Sequence, residues 1–235
     1  SQIAELFFAP TVKNRQNLER ENIRKNVFVT GNTVIDAFQY TIKENYRYKN
    51  EALRLLTFEK KRYILMTAHR RENLGIPLAN ICRSVLRLVQ DHSDVEVIYP
   101  VHLNPAVRET VFQIMGDEPR IHLIDPIDVE DMHNIMSKSY LVMTDSGGLQ
   151  EEGPHFGIPV VVLRTETERP EAVEAGTVVV SGTEENAIYN TVSELLNDQE
   201  RYSEMAHAVN PYGDGHASER IVREILTWSK TQGLK

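Results

Sequence analysis

From residue 27 to residue 180, short runs rich in β-branched residues alternate with longer amphipathic stretches, and this alternation restricts the fold more than any other feature of the chain. The apolar runs fall at residues 27–30, 63–68, 95–100, 121–125, 140–144, 160–163 and 177–180. Most lack strict polar and apolar alternation; Val160-Val161-Val162-Leu163 is apolar throughout, as in a strand covered on both faces. Between them, helical spacing occupies residues 33–46, 77–91, 105–115, 129–137, 149–156 and 184–197. Pro77 and Pro105 suit a first helical turn, where the missing amide hydrogen costs nothing. Strand and helix in strict alternation predict an α/β protein with a doubly wound parallel sheet.

The expected organisation is uneven. Residues 58–210 contain one complete Rossmann-like domain. Residues 1–26 read as the remnant of an earlier Rossmann-like domain, and residues 27–57 as a connecting segment. The chain lacks an initiating Met and enters directly on Leu6-Phe7-Phe8-Ala9, which reads as a core strand with nothing before it to pair with, hence as part of a longer protein. Strands stop after residue 197. Helical segments at 199–208 and 217–230 then flank the turn Asn210-Pro211-Tyr212-Gly213-Asp214-Gly215, and residues 211–235 are expected to return toward the first lobe.

With 26 Lys and Arg against 34 Asp and Glu, the net charge of −8 disfavours a nucleic-acid or anionic-membrane surface, although a local turn can still bind a small anion. The single Cys82 excludes an internal disulfide and a cysteine-based zinc cluster, which fits a reducing cytoplasm. It belongs to the helical stripe Leu78, Ile81, Cys82, Val85, Leu88, Val89 and reads as core. No stretch reaches the ~20 apolar residues of a membrane span. The sequence predicts a soluble, cytoplasmic protein.

Four polar loops follow apolar strands, at the carboxyl edge where open parallel sheets bind ligands. Thr144-Asp145-Ser146-Gly147-Gly148-Leu149-Gln150-Glu151-Glu152 joins a strand to a helix. Its two glycines let the backbone approach an anion at the helix start, Ser146 adds a hydroxyl, and a carboxylate such as Glu152 can accept both hydroxyls of a ribose. Asp145 and Ser146 would equally serve as a plain helix cap. Thr67-Ala68-His69-Arg70-Arg71-Glu72-Asn73 offers an imidazole to relay a proton or stabilise a leaving group, and two guanidiniums for anions; a solvated basic loop is the alternative. Arg169, before Pro170, is a second phosphate candidate or else the partner of Glu166 or Glu168. His102 closes the fourth strand, and no set of histidines has metal-site spacing.

These segments, with Phe8-Ala9-Pro10-Thr11, Val29-Thr30-Gly31-Asn32-Thr33-Val34-Ile35-Asp36, Pro100-Val101-His102-Leu103-Asn104-Pro105, Glu168-Arg169-Pro170-Glu171-Ala172 and the turn at 210–215, give the chain a resemblance to the bacterial non-hydrolysing UDP-N-acetylglucosamine 2-epimerases. The resemblance implies one lobe of a glycosyltransferase-B-like two-domain fold, the carboxyl-terminal domain plus the tail of the amino-terminal one. It implies interconversion of UDP-N-acetylglucosamine and UDP-N-acetylmannosamine without a cofactor. The C2 proton is removed, UDP leaves to give 2-acetamidoglucal, and UDP adds back. His69 then matches the histidine near the diphosphate, Ser146, Gly147 and Gly148 the phosphate turn, Glu152 the ribose carboxylate, and Arg169 a UDP-contacting arginine. Arg70 and His102 match contacts to a second, regulatory UDP-N-acetylglucosamine. Met132 and Ile127 stand where some relatives place aromatic and polar residues around the uracil, and a thioether still packs on a base. The family's proton-transfer carboxylates lie upstream of this chain, so it is expected to bind UDP without turnover; the parent enzyme is expected to be a homodimer. A UDP-sugar transferase, a hydrolysing relative and a non-catalytic UDP-sugar-binding module are the competing readings.

Overall fold

The computed structural model describes residues 3–232, which fall into two compact units. The larger, Ile42–Val209, is built on six parallel strands. In chain order it contains β3 (Arg62–Thr67), α3 (Ile76–Asp91), β4 (Val95–Pro100), α4 (Pro105–Met115), β5 (Ile121–Ile124), α5 (Val129–Met136), β6 (Leu141–Thr144), α6 (Gly147–Glu152), β7 (Val160–Val162), α7 (Pro170–Glu174), β8 (Val178–Val180), α8 (Glu185–Asn197) and α9 (Gln199–Ala206). The spatial order is β5-β4-β3-β6-β7-β8. The chain winds outward from β3 to β5, then crosses back to place β6 on the other side of β3. That reversal is a topological switch point, and it opens a crevice at the carboxyl ends of β3 and β6. The register ends with Thr67 beside Thr144, so the loops after both strands begin at one level. The Rossmann-like lobe expected from the sequence is present.

Its core explains the unbroken apolar runs. Ile64, Leu65, Met66, Val142, Met143, Val160 and Val161 are all fully buried, because helices cover both sheet faces. The stripe of α3 is buried to the last residue, and burial pushes the Cys82 thiol up to about 12, which leaves it an inert core group.

The smaller unit comprises the described residues of Ser1–Thr41 and Asn210–Lys235. Here β1 (Phe7–Ala9) is not without a partner: it pairs in parallel with β2 (Val27–Val29), which follows it in sequence, through the crossover helix α1 (Val12–Arg20). The sequence reading missed α1 because Val12 and Leu18 are its only apolar residues; Thr11 starts it by accepting a hydrogen bond from the Asn14 amide at 3.1 Å. Residues 27–41, read as connector, therefore belong with the smaller unit, and residues 42–57 with the larger. Helix α2 (Thr33–Thr41) packs against α10 (Ala217–Thr231). Asp36 accepts from the first amides of α10, Ala217 N at 3.0 Å and Ser218 N at 2.6 Å. Burial works against its charge, but these bonds prevail and hold its carboxyl below the usual range.

Helix α2 stops at Thr41 rather than continuing to residue 46 because the next amides find better acceptors on α5. Lys43 N donates to Asn134 Oδ1 at 3.2 Å, while the buried Asp131 accepts from Tyr46 Oη and Lys49 N, each at 2.9 Å, and from Asn50 N at 3.0 Å. Burial first, and Asp131 second, push the Tyr46 hydroxyl up to about 12. Asp131→Ala strands two amides and this hydroxyl, so it is expected to lower the unfolding free energy by about 3 kcal/mol in urea titration. Asp128→Ala, which removes the exposed cap of α5, is expected to cost about 1 kcal/mol. Equal losses would remove Asp131 as the anchor of residues 43–50.

Candidate functional site

The switch point is organised by polar groups that come from both strands. The hydroxyls of Thr67 and Thr144 share a buried hydrogen bond of 2.7 Å, and Thr144 Oγ1 accepts from Ser146 N at 2.9 Å. Next comes Asp145, which is completely buried. Its Oδ2 accepts from His69 N at 2.8 Å, Arg70 N at 2.7 Å and Asn73 Nδ2 at 3.0 Å. The Asn73 amide also donates to Leu163 O at 3.1 Å, just past β7. One carboxylate thus gathers the loop after β3 onto the turn after β6, and Asn73 ties both to the loop after β7. The capping alternative for Asp145 and Ser146 fails: Ser146 is the N-cap of α6 yet its side chain makes no capping bond, and Asp145 faces the His69 loop. The helix also begins at Gly147, two residues earlier than its apolar pattern suggests, because glycines carry no periodicity signal.

Two guanidiniums converge on this turn. A Cβ placed on Gly147 would lie 3.5 Å from Arg169 Nη2 and 3.9 Å from Arg70 Nη2, so the bare glycine faces both cations. Arg70 is fixed by Nε donating to Asp145 O at 3.1 Å. Arg169 pairs with Glu151 on α6, rather than with the carboxylate of Glu166 or Glu168. Its backbone N donates to Thr167 Oγ1 at 3.0 Å, Thr167 bonds Gln150 Oε1, and Gln150 Nε2 donates to Ser146 O at 3.1 Å. Gln150 is fully buried and locks the Arg169 loop to the glycine turn. Arg164, beside Glu72 at 2.6 Å, makes a second tie between the loops after β7 and β3.

At the far end of α6 the Glu152 carboxylate folds back. A Cβ on Gly148 would come within 3.1 Å of Glu152 Oε1, and Glu152 Oε2 lies 3.5 Å from His133 Nε2. His133 is buried in α5 and escaped the sequence reading, since a lone histidine in an amphipathic helix has no motif around it. Met132 is half-buried on the same helix, one residue earlier. The His69 ring stacks on His102 at 5.4 Å between centroids and 8° between planes, and its Nδ1 is 3.5 Å from Asp145 Oδ1. His102 Nδ1 accepts from Asn104 N at 3.1 Å. Tyr99 Oη donates to Ala68 O at 2.6 Å and holds β4 to the end of β3.

Arg70 and Arg169 therefore meet over Gly147, with Ser146 and Gly148 in the same turn, Glu152 further along α6, and His69, stacked on His102, beside Asp145. Cations, glycine backbone and a half-exposed imidazole suit an anion, and a carboxylate at some distance suits hydroxyl groups on the same ligand. Asn73→Ala would remove a donor from a buried carboxylate and strand the Leu163 carbonyl. It is expected to cost about 2 kcal/mol in urea titration, and a change within 0.5 kcal/mol would refute its tying role.

The chain has relatives among known proteins. A family model described as UDP-N-acetylglucosamine 2-epimerase matches residues 1–226. The UDP-N-acetylglucosamine 2-epimerase of Bacillus subtilis is 50% identical over 225 residues, covering 95% of this chain and 58% of the relative. The S. aureus MnaA structure with UDP matches at a TM-score of 0.91 and 48% identity, over 97% of this chain and 62% of that one. The Neisseria meningitidis UDP-GlcNAc 2-epimerase bound to UDP-GlcNAc matches at 0.88 and 40%, over 95% of this chain and 62% of that one. The chain spans about three-fifths of the length of these relatives. A match that runs through both units at this identity shows that the chain belongs to the UDP-N-acetylglucosamine 2-epimerase family.

Proposed function

We propose that the protein containing this chain interconverts UDP-N-acetylglucosamine and UDP-N-acetylmannosamine, and that the larger unit described here supplies its UDP half-site. The observation that carries this reading is the meeting of Arg70 and Arg169 over Gly147, one short helix away from the Glu152 carboxylate. The turn of Ser146, Gly147 and Gly148 holds the diphosphate through backbone amides and a hydroxyl, and Arg169 neutralises it. Glu152 accepts the ribose hydroxyls, with Met132 against the base. His69 meets the diphosphate as the C1–O bond breaks and negative charge builds on the leaving group, where a preorganised donor acts most strongly. The relatives solved with UDP and with UDP-GlcNAc support this assignment.

Arg70 and His102, matched by resemblance to a regulatory UDP-N-acetylglucosamine, touch the same machinery: Arg70 reaches Gly147 and His102 stacks on His69. A ligand held by them would press on groups that hold the diphosphate, which is a physical route from a second site to the first. The smaller unit is read as part of the amino-terminal lobe. The carboxylates that move the C2 proton are assigned to the remainder of that lobe, so this chain binds UDP without turning over.

Calorimetric titration tests the assignments separately. Arg169→Ala is expected to weaken UDP at least tenfold, about 1.4 kcal/mol, and to leave uridine unaffected. Glu152→Ala is expected to weaken both ligands; unchanged affinity would remove it from the ribose. Incubating the chain with UDP-N-acetylglucosamine is expected to give no C2 epimer, and conversion by this chain alone would overturn the half-site reading.

A further inference from the structure

The buried carboxylate of Asp145 is used unevenly. Oδ2 takes the three donors from His69 N, Arg70 N and Asn73 Nδ2. Oδ1 is equally buried and finds no hydrogen-bond donor among the described residues. The nitrogen facing it is His69 Nδ1, at 3.5 Å. An ionised oxygen without a donor is costly in a dry interior, and a small rotation of the imidazole brings an Nδ1 proton onto it. The His69 backbone is already clamped to the other oxygen, so ring and main chain are gripped by one carboxylate.

We propose that Asp145 is a positioning residue that keeps the His69 proton on Nδ1 and presents Nε2 to the ligand. Whether the ring carries one proton or two, Nδ1 keeps its proton toward Asp145. The side chain of His69 is 42% exposed, so a ligand can reach the other nitrogen. The stacked ring is compatible with this assignment: His102 Nδ1 accepts the Asn104 amide, so the neighbouring ring is held by its own loop and does not compete for Asp145. A carboxylate that orients an imidazole in this way determines which nitrogen acts, as in carboxylate and histidine pairs of hydrolases. The inference rests on the reading of His69 as the group that meets the diphosphate.

The test is a long-range proton and nitrogen correlation spectrum of the chain with ¹⁵N-labelled histidine, the His69 signals being identified by their loss in His69→Gln. The neutral form of His69 is expected to be the Nδ1–H tautomer, and UDP is expected to move its Nε2 resonance more than its Nδ1. A neutral Nε2–H tautomer would overturn the positioning role alone. An Nδ1–H tautomer whose signals ignore saturating UDP would overturn the diphosphate reading, and the proposal with it. In Asp145→Asn the carboxamide oxygen must stay with the three donors, which puts its NH2 where Oδ1 stood. That group donates to Nδ1, so His69 is expected to switch to Nε2–H and UDP to bind at least tenfold more weakly with uridine unchanged. A variant that keeps Nδ1–H would also overturn the positioning role. The wild-type spectrum decides the tautomer even where the variant fails to fold.

Discussion

The site depends on one carboxylate buried at the switch point of the sheet. Without Asp145, two amides of the His69 loop and the Asn73 side chain would lose their shared acceptor, and the loop would keep the bond from Arg70 Nε to the main-chain carbonyl of residue 145 but none of the three that fix its backbone and Asn73. Parallel strands make this arrangement possible. Thr67 and Thr144 end in register, so a side chain one residue past β6 reaches the loop past β3 directly. An acid is suited to the position because it can accept several amide bonds with little cost in charge, provided the donors are fixed in advance.

The same edge shows how an acidic protein can carry a local concentration of positive charge. The net charge of −8 is spread over many exposed groups, whose influence fades beyond a screening length of about 8 Å. Within that distance of Gly147 the guanidiniums of Arg70 and Arg169 stand close together, each restrained by a neighbouring carboxylate or carbonyl. The pairing of Arg169 with Glu151 sets the position of the guanidinium before a ligand arrives, which lowers the ordering cost of binding. Local placement therefore outweighs overall composition in setting the charge that the glycine turn faces. No helix among the described residues is long and apolar enough to cross a membrane.

Much of this was legible in the residues. Strands of the larger unit could be located to within a residue or so, because unbroken runs such as Val160-Val161-Val162 have few other uses in a polar chain. Helix α3 was equally plain from its stripe. The elements that escaped were short or polar: α1 has almost no apolar face, and the glycines that open α6 carry no pattern. The glycine turn itself could be singled out in advance, since glycine, serine and carboxylate after a strand have a chemical meaning on their own. The roles of Asp145, Asn73, Gln150 and His133 could not, because each is defined by a partner many residues away.

The sequence by itself determined that this chain forms a parallel α/β sheet with polar loops at one edge, and it carried the motifs by which the family is known. Periodicity and residue type act over a few neighbours, and those are local properties. Only the tertiary structure decided the strand order, and with it that β6 returns to lie beside β3. It also decided that Arg169 pairs with Glu151, that Glu152 folds toward His133, and that the opening strand pairs with one downstream. The reason is physical: which buried polar group meets which donor depends on how separate segments pack in space, a choice that spacing along the chain does not contain.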